Sequence, residues 1–454
     1  MRYPPQVKYI VGNEACERFS FYGMRSILTL YMLDHLRFAE ADAKAWFHYF
    51  VMANYLTPLV GGWVADRLWG RYRTILWVSF AYLLGHATLA VWETPAGLLT
   101  GCALIAIGAG GIKPCVSAFV GDQFAPEQRT LMQRVYGWFY WSINLGSASS
   151  YLLIPELLRR FGPAVAFAVP GVLMAFALFV FWAGTRHYVQ VAPSGSDPHG
   201  FLRVVGLALR QVGRRRPGEH WLDAARDAHP AEAVEGAKAV WRIMGVFAAV
   251  TLFWALFDQK SSTWVIQTRQ LDRVLFGAEP SAAAFQVFNP LLVMILIPLF
   301  TWGVFPFLEK RSVSLAPLRK MTAGMFITSM SFAAAAILQF FVDAGGTPSV
   351  LWQLPQYLLL TVGEILVSVT GLEFSYTQAP KSMRSTIMSL WFLAVALGNL
   401  LTAVLAKLPR LRGAANLWLF AGLMLLAAIA FRSVARRYRT SGGGRRELTP
   451  NTLE

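Results

Sequence analysis

Twelve apolar runs recur along the chain, each about 20 residues long, the length an α-helix needs to cross a bilayer. They fall at 10–33, 46–65, 74–92, 97–121, 135–155, 164–185, 242–266, 283–307, 320–342, 350–377, 385–406 and 414–431. Lipid offers no water to backbone N–H and C=O groups, so each run must satisfy its own as a helix. The fold class expected is an all-α membrane protein with 12 transmembrane helices in two six-helix bundles. Composition agrees, because only 15% of residues are charged, against about 25% in soluble domains.

The sixth and seventh runs are separated by a polar stretch that includes "APSGSDPHG", "GRRRPGEH" and "RDAHPAEAVEGAK". The expected domains are therefore a first bundle over 1–187, a linker over 188–240, a second bundle over 241–437 and a tail over 438–454. Within the linker, "FLRVVGLALRQV" is amphipathic and reads as a helix lying on the membrane surface. Orientation follows from Lys and Arg. With the N-terminus cytoplasmic, about 28 of the 41 basic residues lie in cytoplasmic segments and about 9 in external loops, as the positive-inside rule requires. Linker and tail share the cytoplasmic side only if each half has an even number of spans. Two six-helix bundles with cytoplasmic termini resemble the major facilitator superfamily, in which substrate sits near the midplane between the halves.

The net charge of +16 is thus accounted for by cytoplasmic loops, and no nucleic-acid-binding motif accompanies it. Cys16, Cys102 and Cys115 fall within spans without metal-ligand spacing, so no metal site is expected. "MRYPPQVKYI" has no signal-peptide core, and the first span itself is expected to direct insertion. No HExxH, paired aspartates or supported Ser–His arrangement suggests an enzyme. His86, in the third span, reads as a helix-packing histidine.

Eight ionisable residues lie inside spans: Glu14, Glu17, Arg18, Arg25, Lys113, Asp258, Lys260 and Glu364. Each charge at the bilayer centre costs roughly 2.5–3.5 kcal/mol on the insertion scale, so such residues should face a cavity or one another. Glu14, Arg18, Tyr22 and Arg25 are spaced to share one helix face, with Glu17 beside it. Two carboxylates beside one guanidinium leave a surplus negative charge, a suitable place for a proton. Lys260 is expected beside Asp258, without a firm role.

Five stretches in order then resemble one family, the bacterial proton-dependent oligopeptide transporters of the major facilitator superfamily. "EACERFSFYG" (Glu14–Gly23) resembles the first-helix motif ExxERFxYYG, with Phe21 where a Tyr is usual. "GGWVADRLWGR" (Gly61–Arg71) resembles the loop motif between the second and third helices. "GAGGIKPCVSAFVGDQF" (Gly108–Phe124) and "FYWSINLGS" (Phe139–Ser147) resemble the fourth- and fifth-helix signatures. "GEILVSVTGLEFSYTQAP" (Gly363–Pro380) resembles the tenth-helix signature, with Val369 where Pro is usual, and "SLWFLAVALGN" follows. Bacterial members often carry two extra helices between the halves, which this polar linker cannot hold.

The resemblance implies a symporter that imports di- and tripeptides across the inner membrane by alternating access. It would be driven by the proton gradient, use no cofactor and work as a monomer embedded in lipid. Arg25 and Lys113 would hold the peptide carboxylate. Glu364 would hold the amine, helped by Asn289 and Asn144, with Asn289 at a helix break before Pro290. Tyr22, Tyr55, Trp254 and Trp391 would line the pocket. Glu14, Glu17, Arg18 and Asp258 would couple protons. Arg25–Asp258 would close the outer gate and Lys113–Glu364 the inner one. The alternative is a transporter of the same fold carrying nitrate or an amino-acid derivative.

Overall fold

The computed structural model describes residues 3–193, 195, 197–214, 218–313, 315–378, 383–408 and 413–438. Residues 439–454 of the expected tail, Arg215–Pro217 of the linker and Ala379–Pro380 of the tenth-helix motif lie outside them. Helices α1 (Val7–Leu30), α2 (Glu40–Val64), α3 (Arg71–Val91) and α4 (Pro95–Asp122) form the first four spans. Helix α5 (Arg129–Ala183) makes the fifth and sixth, turning at Gly162, whose φ of 80° lies outside helical space. Pro163 follows and donates no backbone bond, which fits the turn.

In the second bundle the seventh span joins α7 (Ala231–Phe257) to α8 (Thr263–Thr268) through a 3-10 turn at Asp258–Ser261. The eighth joins α9 (Phe288–Leu299) to α10 (Phe305–Lys310). Helix α11 (Pro317–Asp343) is the ninth span, and α12 (Leu354–Glu364) with α13 (Thr370–Gln378) is the tenth. Helices α14 (Arg384–Ala406) and α15 (Gly413–Arg437) close the bundle. Among the described residues nine helical segments are long and apolar enough to cross a membrane, α5 counting as one. Its two passes, with α1 and α2, bring the total to the expected twelve. Helix α1 is less apolar than the other spans because it buries Glu14, Glu17, Arg18 and Arg25.

Small residues let spans of the first bundle touch. A Cβ on Gly61 of α2 would stand 2.3 Å from the Gly110 carbonyl oxygen of α4, so only glycine permits that approach.

The linker departs from expectation in two ways. Its last residues are already helical, since α7 begins at Ala231. The amphipathic segment, α6 (Phe201–Arg210), buries Phe201, Val204 and Ala208 against Leu222, Ala225, Val234 and Ala237. One apolar face is thus spent on the protein, and Leu202 and Leu209 remain exposed. Upstream, the Gln123 amide brackets the Val189 backbone, which anchors the start of the linker to the first bundle.

Candidate functional site

Helix α1 brings the first charges together. The single Nε of Arg18 lies 2.8 Å from Glu14 Oε1 and 2.7 Å from Glu17 Oε2. Glu17 is fully buried and Glu14 nearly so. Tyr82 of α3 and Lys113 of α4 both bear electrostatically on this trio. One guanidinium nitrogen serving two carboxylates leaves Glu14 Oε2 without a hydrogen-bond partner among the described residues. A proton is the smallest group that satisfies such an oxygen.

Two turns further out, Arg25 Nη2 meets Asp258 Oδ1 at 2.5 Å across the seam between bundles. The other carboxylate oxygen of Asp258 accepts from Asn399 Nδ2 at 2.7 Å. Asn399 Oδ1 meets His48 Nδ1 at 2.8 Å, and His48 Nε2 meets Ser262 Oγ at 2.9 Å. Two further bonds run nearby: Thr29 Oγ1 donates to the Ser261 carbonyl, and Gln286 Nε2 to the Ser26 carbonyl. All of these lie in the outer half of the molecule, so the outer seam is closed.

Sequence reasoning missed His48 and Asn399. His48 lies three residues into the second apolar run, a signal equal to the one that drew attention to His86. His86 instead packs against Tyr82, 5.2 Å between ring centroids, as a helix-packing histidine should.

In the second bundle Asn289 is the hub. Its Nδ2 donates to Glu364 Oε2 at 2.9 Å and to Thr361 Oγ1 at 3.1 Å, while its Oδ1 accepts from Lys260 Nζ at 2.7 Å. The expected Lys260–Asp258 pair is not formed. Arg25 and Asn399 occupy both Asp258 oxygens, and Lys260 turns to Asn289 with its ammonium 3.4 Å from the Phe257 ring centroid. The expected break before Pro290 is also absent. A 3-10 turn at Ala282–Val287 passes into α9 at Phe288, and Pro290 stands in the first helical turn, where its missing N–H costs nothing. Directly after Glu364 the tenth span widens into a π-turn, Ile365–Val369, a feature frequent at functional sites.

Lys113 and Glu364 do not pair. The Lys113 ammonium has no hydrogen-bond partner among the described residues, and sits 4.1 Å from the Phe21 ring centroid and 4.6 Å from that of Tyr55. Phe21, where a Tyr is usual, thus offers this cation a ring face. Tyr22 packs edge-on to Phe21 and Tyr151. Asn144 is not hydrogen-bonded to Glu364; its amide donates to the Tyr140 carbonyl of its own helix. Trp254 and Trp391 meet each other edge-on at 5.9 Å, with Trp391 also against Phe247. Both belong to the core of the second bundle.

Comparison with known proteins follows the same lines. A profile of the POT family matches residues 72–416. The crystal structure of the POT family transporter PepTSo is 41% identical, covers 97% of this chain and 100% of its own, and superposes with a TM-score of 0.92. Solute carrier family 15 member 2 of Rattus norvegicus is 37% identical over 393 residues, 81% of this chain and 54% of that protein. Peptide transporter 3 of Caenorhabditis elegans is 38% identical over 361 residues, 75% of this chain and 51% of that protein. The chain spans about half the length of these two animal relatives. With the profile, the fold and the motifs in agreement, the chain belongs to the POT family of proton-dependent oligopeptide transporters.

Proposed function

We propose that the protein is a proton-coupled symporter that imports di- and tripeptides by alternating access across a bacterial inner membrane, as a monomer and without a cofactor. The observation that carries this reading is the pair of opposite, separated charges on the two bundles, Lys113 without a hydrogen-bond partner among the described residues and Glu364 held by Asn289. A zwitterionic peptide needs a cation for its carboxylate and an anion for its amine, a fixed distance apart. Binding to both would draw the bundles together, and only a ligand with such differential contacts can shift a conformational equilibrium.

In this scheme Arg25 alternates between the peptide carboxylate and Asp258. Tyr22 and Tyr55 supply walls that accept many side chains by apolar contact. Asn144 serves near the amine end only if the bundles move, and Trp254 and Trp391 support the wall from the core. Protons enter on Glu14, Glu17 or Asp258, and Arg18 returns to whichever carboxylate remains charged. Protonating Asp258 would remove the partner of Arg25 and open the outer seam.

The test is uptake of labelled dialanine into proteoliposomes, with and without an inward proton gradient. Accumulation only under the gradient is expected, and its absence overturns the reading. N-acetyl-dialanine, which lacks the amine assigned to Glu364, should compete poorly.

A further inference from the structure

A second constellation of charge lies outside the buried site. Between the outer ends of the two bundles is a cleft of about 1040 Å³. The first bundle contributes Asp34, just past α1, and Glu156, Arg159 and Arg160 near the Gly162 turn. The second contributes Arg269, Arg273 and Glu279 from the connection between α8 and α9. Beneath it, Leu30 packs with Val265, Ala282 and Ala283 in a small buried apolar cluster. Leu30 follows Arg25 on α1 by five residues, so this cluster stands between the cleft and the Arg25–Asp258 pair.

The charges are interleaved. Arg159 and Arg160 both bond to Glu156, and Arg273 to Glu279. Arg269 Nη2 reaches across the seam to Asp34 Oδ1 at 2.9 Å. Arg159 and Glu279 also attract each other from opposite bundles. A guanidinium carries five N–H donors. Arg269 has a single carboxylate partner among these pairs, which leaves donors for another. Both residues of the Arg269–Asp34 pair are substantially exposed, and exposed ion pairs are weak enough to exchange partners.

We propose that this cleft is an external docking site for zwitterionic short peptides, occupied before the outer seam parts. The inference rests on the peptide-transport reading and adds a step to it. The peptide carboxylate takes the guanidiniums of Arg159, Arg160 and Arg269, and the ammonium takes Glu156 or Glu279. When the carboxylate engages Arg269 it competes with Asp34, and so loosens an ion pair that ties the bundles at their outer rim. A zwitterion suits the site because it brings one charge of each sign to a lattice that already balances nearly all of its own.

The experiment compares wild type with the double variant Arg159→Gln, Arg160→Gln. Dialanine transport is measured from the outer face in right-side-out vesicles and from the inner face in inverted ones. At low ionic strength the external KM should rise about threefold or more, as expected for loss of guanidinium contacts to the peptide carboxylate, while the internal KM stays the same. At 0.5 M salt the external difference should shrink, since a Debye length of a few Å screens exposed charges. Lysine at both positions should recover most of the external affinity. An unchanged external KM at low salt, or an equal rise from both faces, overturns the proposal while leaving peptide transport standing. Failure of the wild type to transport dialanine from either face overturns both.

Discussion

Arg25 of the first bundle and Asp258 of the second meet at 2.5 Å with both side chains almost wholly buried. Asn399, of the same bundle, holds the second oxygen of Asp258, and Arg25 reaches the first only while the outer seam is closed. Removing one partner of a buried pair leaves the other charge stranded and typically costs 3–5 kcal/mol. Asp258→Asn should therefore destabilise the outer-closed state. Spin labels on the outer ends of α1 and α8 should report longer distances in the variant. An unchanged distance distribution would remove Asp258 from the gate.

Glu14 and Glu17 share one nitrogen of Arg18. Glu14→Gln keeps the shape but ends competition for that guanidinium. Proton-driven accumulation of dialanine should fall at least tenfold, while exchange of peptide for peptide, which needs no net proton movement, should persist. A variant that still concentrates peptide would exclude Glu14 as a coupling site.

His48 links α14 to the seventh span through both ring nitrogens. His48→Ala leaves Asn399 and Ser262 short of a partner in a buried place, about 1–3 kcal/mol for each such group. The thermal midpoint should fall, and a cysteine placed at Ser261 should become reactive to thiol reagents added outside. His86→Ala is expected to lower the midpoint without that change in reactivity.

Glu156 lies on the outer face, where hydrogen bonds from Arg159 and then Arg160 hold its carboxyl down to about 2. A carboxyl whose folded value is depressed stabilises the fold above its ordinary value near 4.5 and loses that contribution as pH falls towards 2. The difference in thermal midpoint between wild type and Glu156→Gln should therefore be constant from pH 8 to pH 5 and disappear only in stronger acid. The charge pattern of the outer cleft thus persists at the mildly acidic external pH that would drive symport.

Gly61→Ala would drive a methyl group to 2.3 Å from the Gly110 carbonyl oxygen. The helices must separate, at about 1–3 kcal/mol for an overpacked contact. A lowered thermal midpoint with the helical circular dichroism intact is the expected outcome.

The all-helical fold and the twelve passes were legible in the sequence because lipid imposes them locally. A span must be apolar for about 20 residues, its flanks must carry charge on the cytoplasmic side, and buried charges stand out against that background. The family was legible in five stretches that resemble its motifs, because such a pattern is local in the chain. What a linear pattern could not say was which buried charge meets which. Lys260 sits two residues from Asp258, yet Arg25 and Asn399 arrive from other helices and fill that carboxylate, leaving Lys260 to Asn289. His48 and Asn399 are 351 residues apart and meet only because α2 and α14 pack across the seam. The expected pairing of Lys113 with Glu364 depends on how the bundles are inclined, and with the outer seam closed Lys113 faces two aromatic rings instead. Helical spacing determines which residues share a face. Which faces confront each other is decided by the packing of whole bundles, where each charge takes the nearest partner that satisfies it.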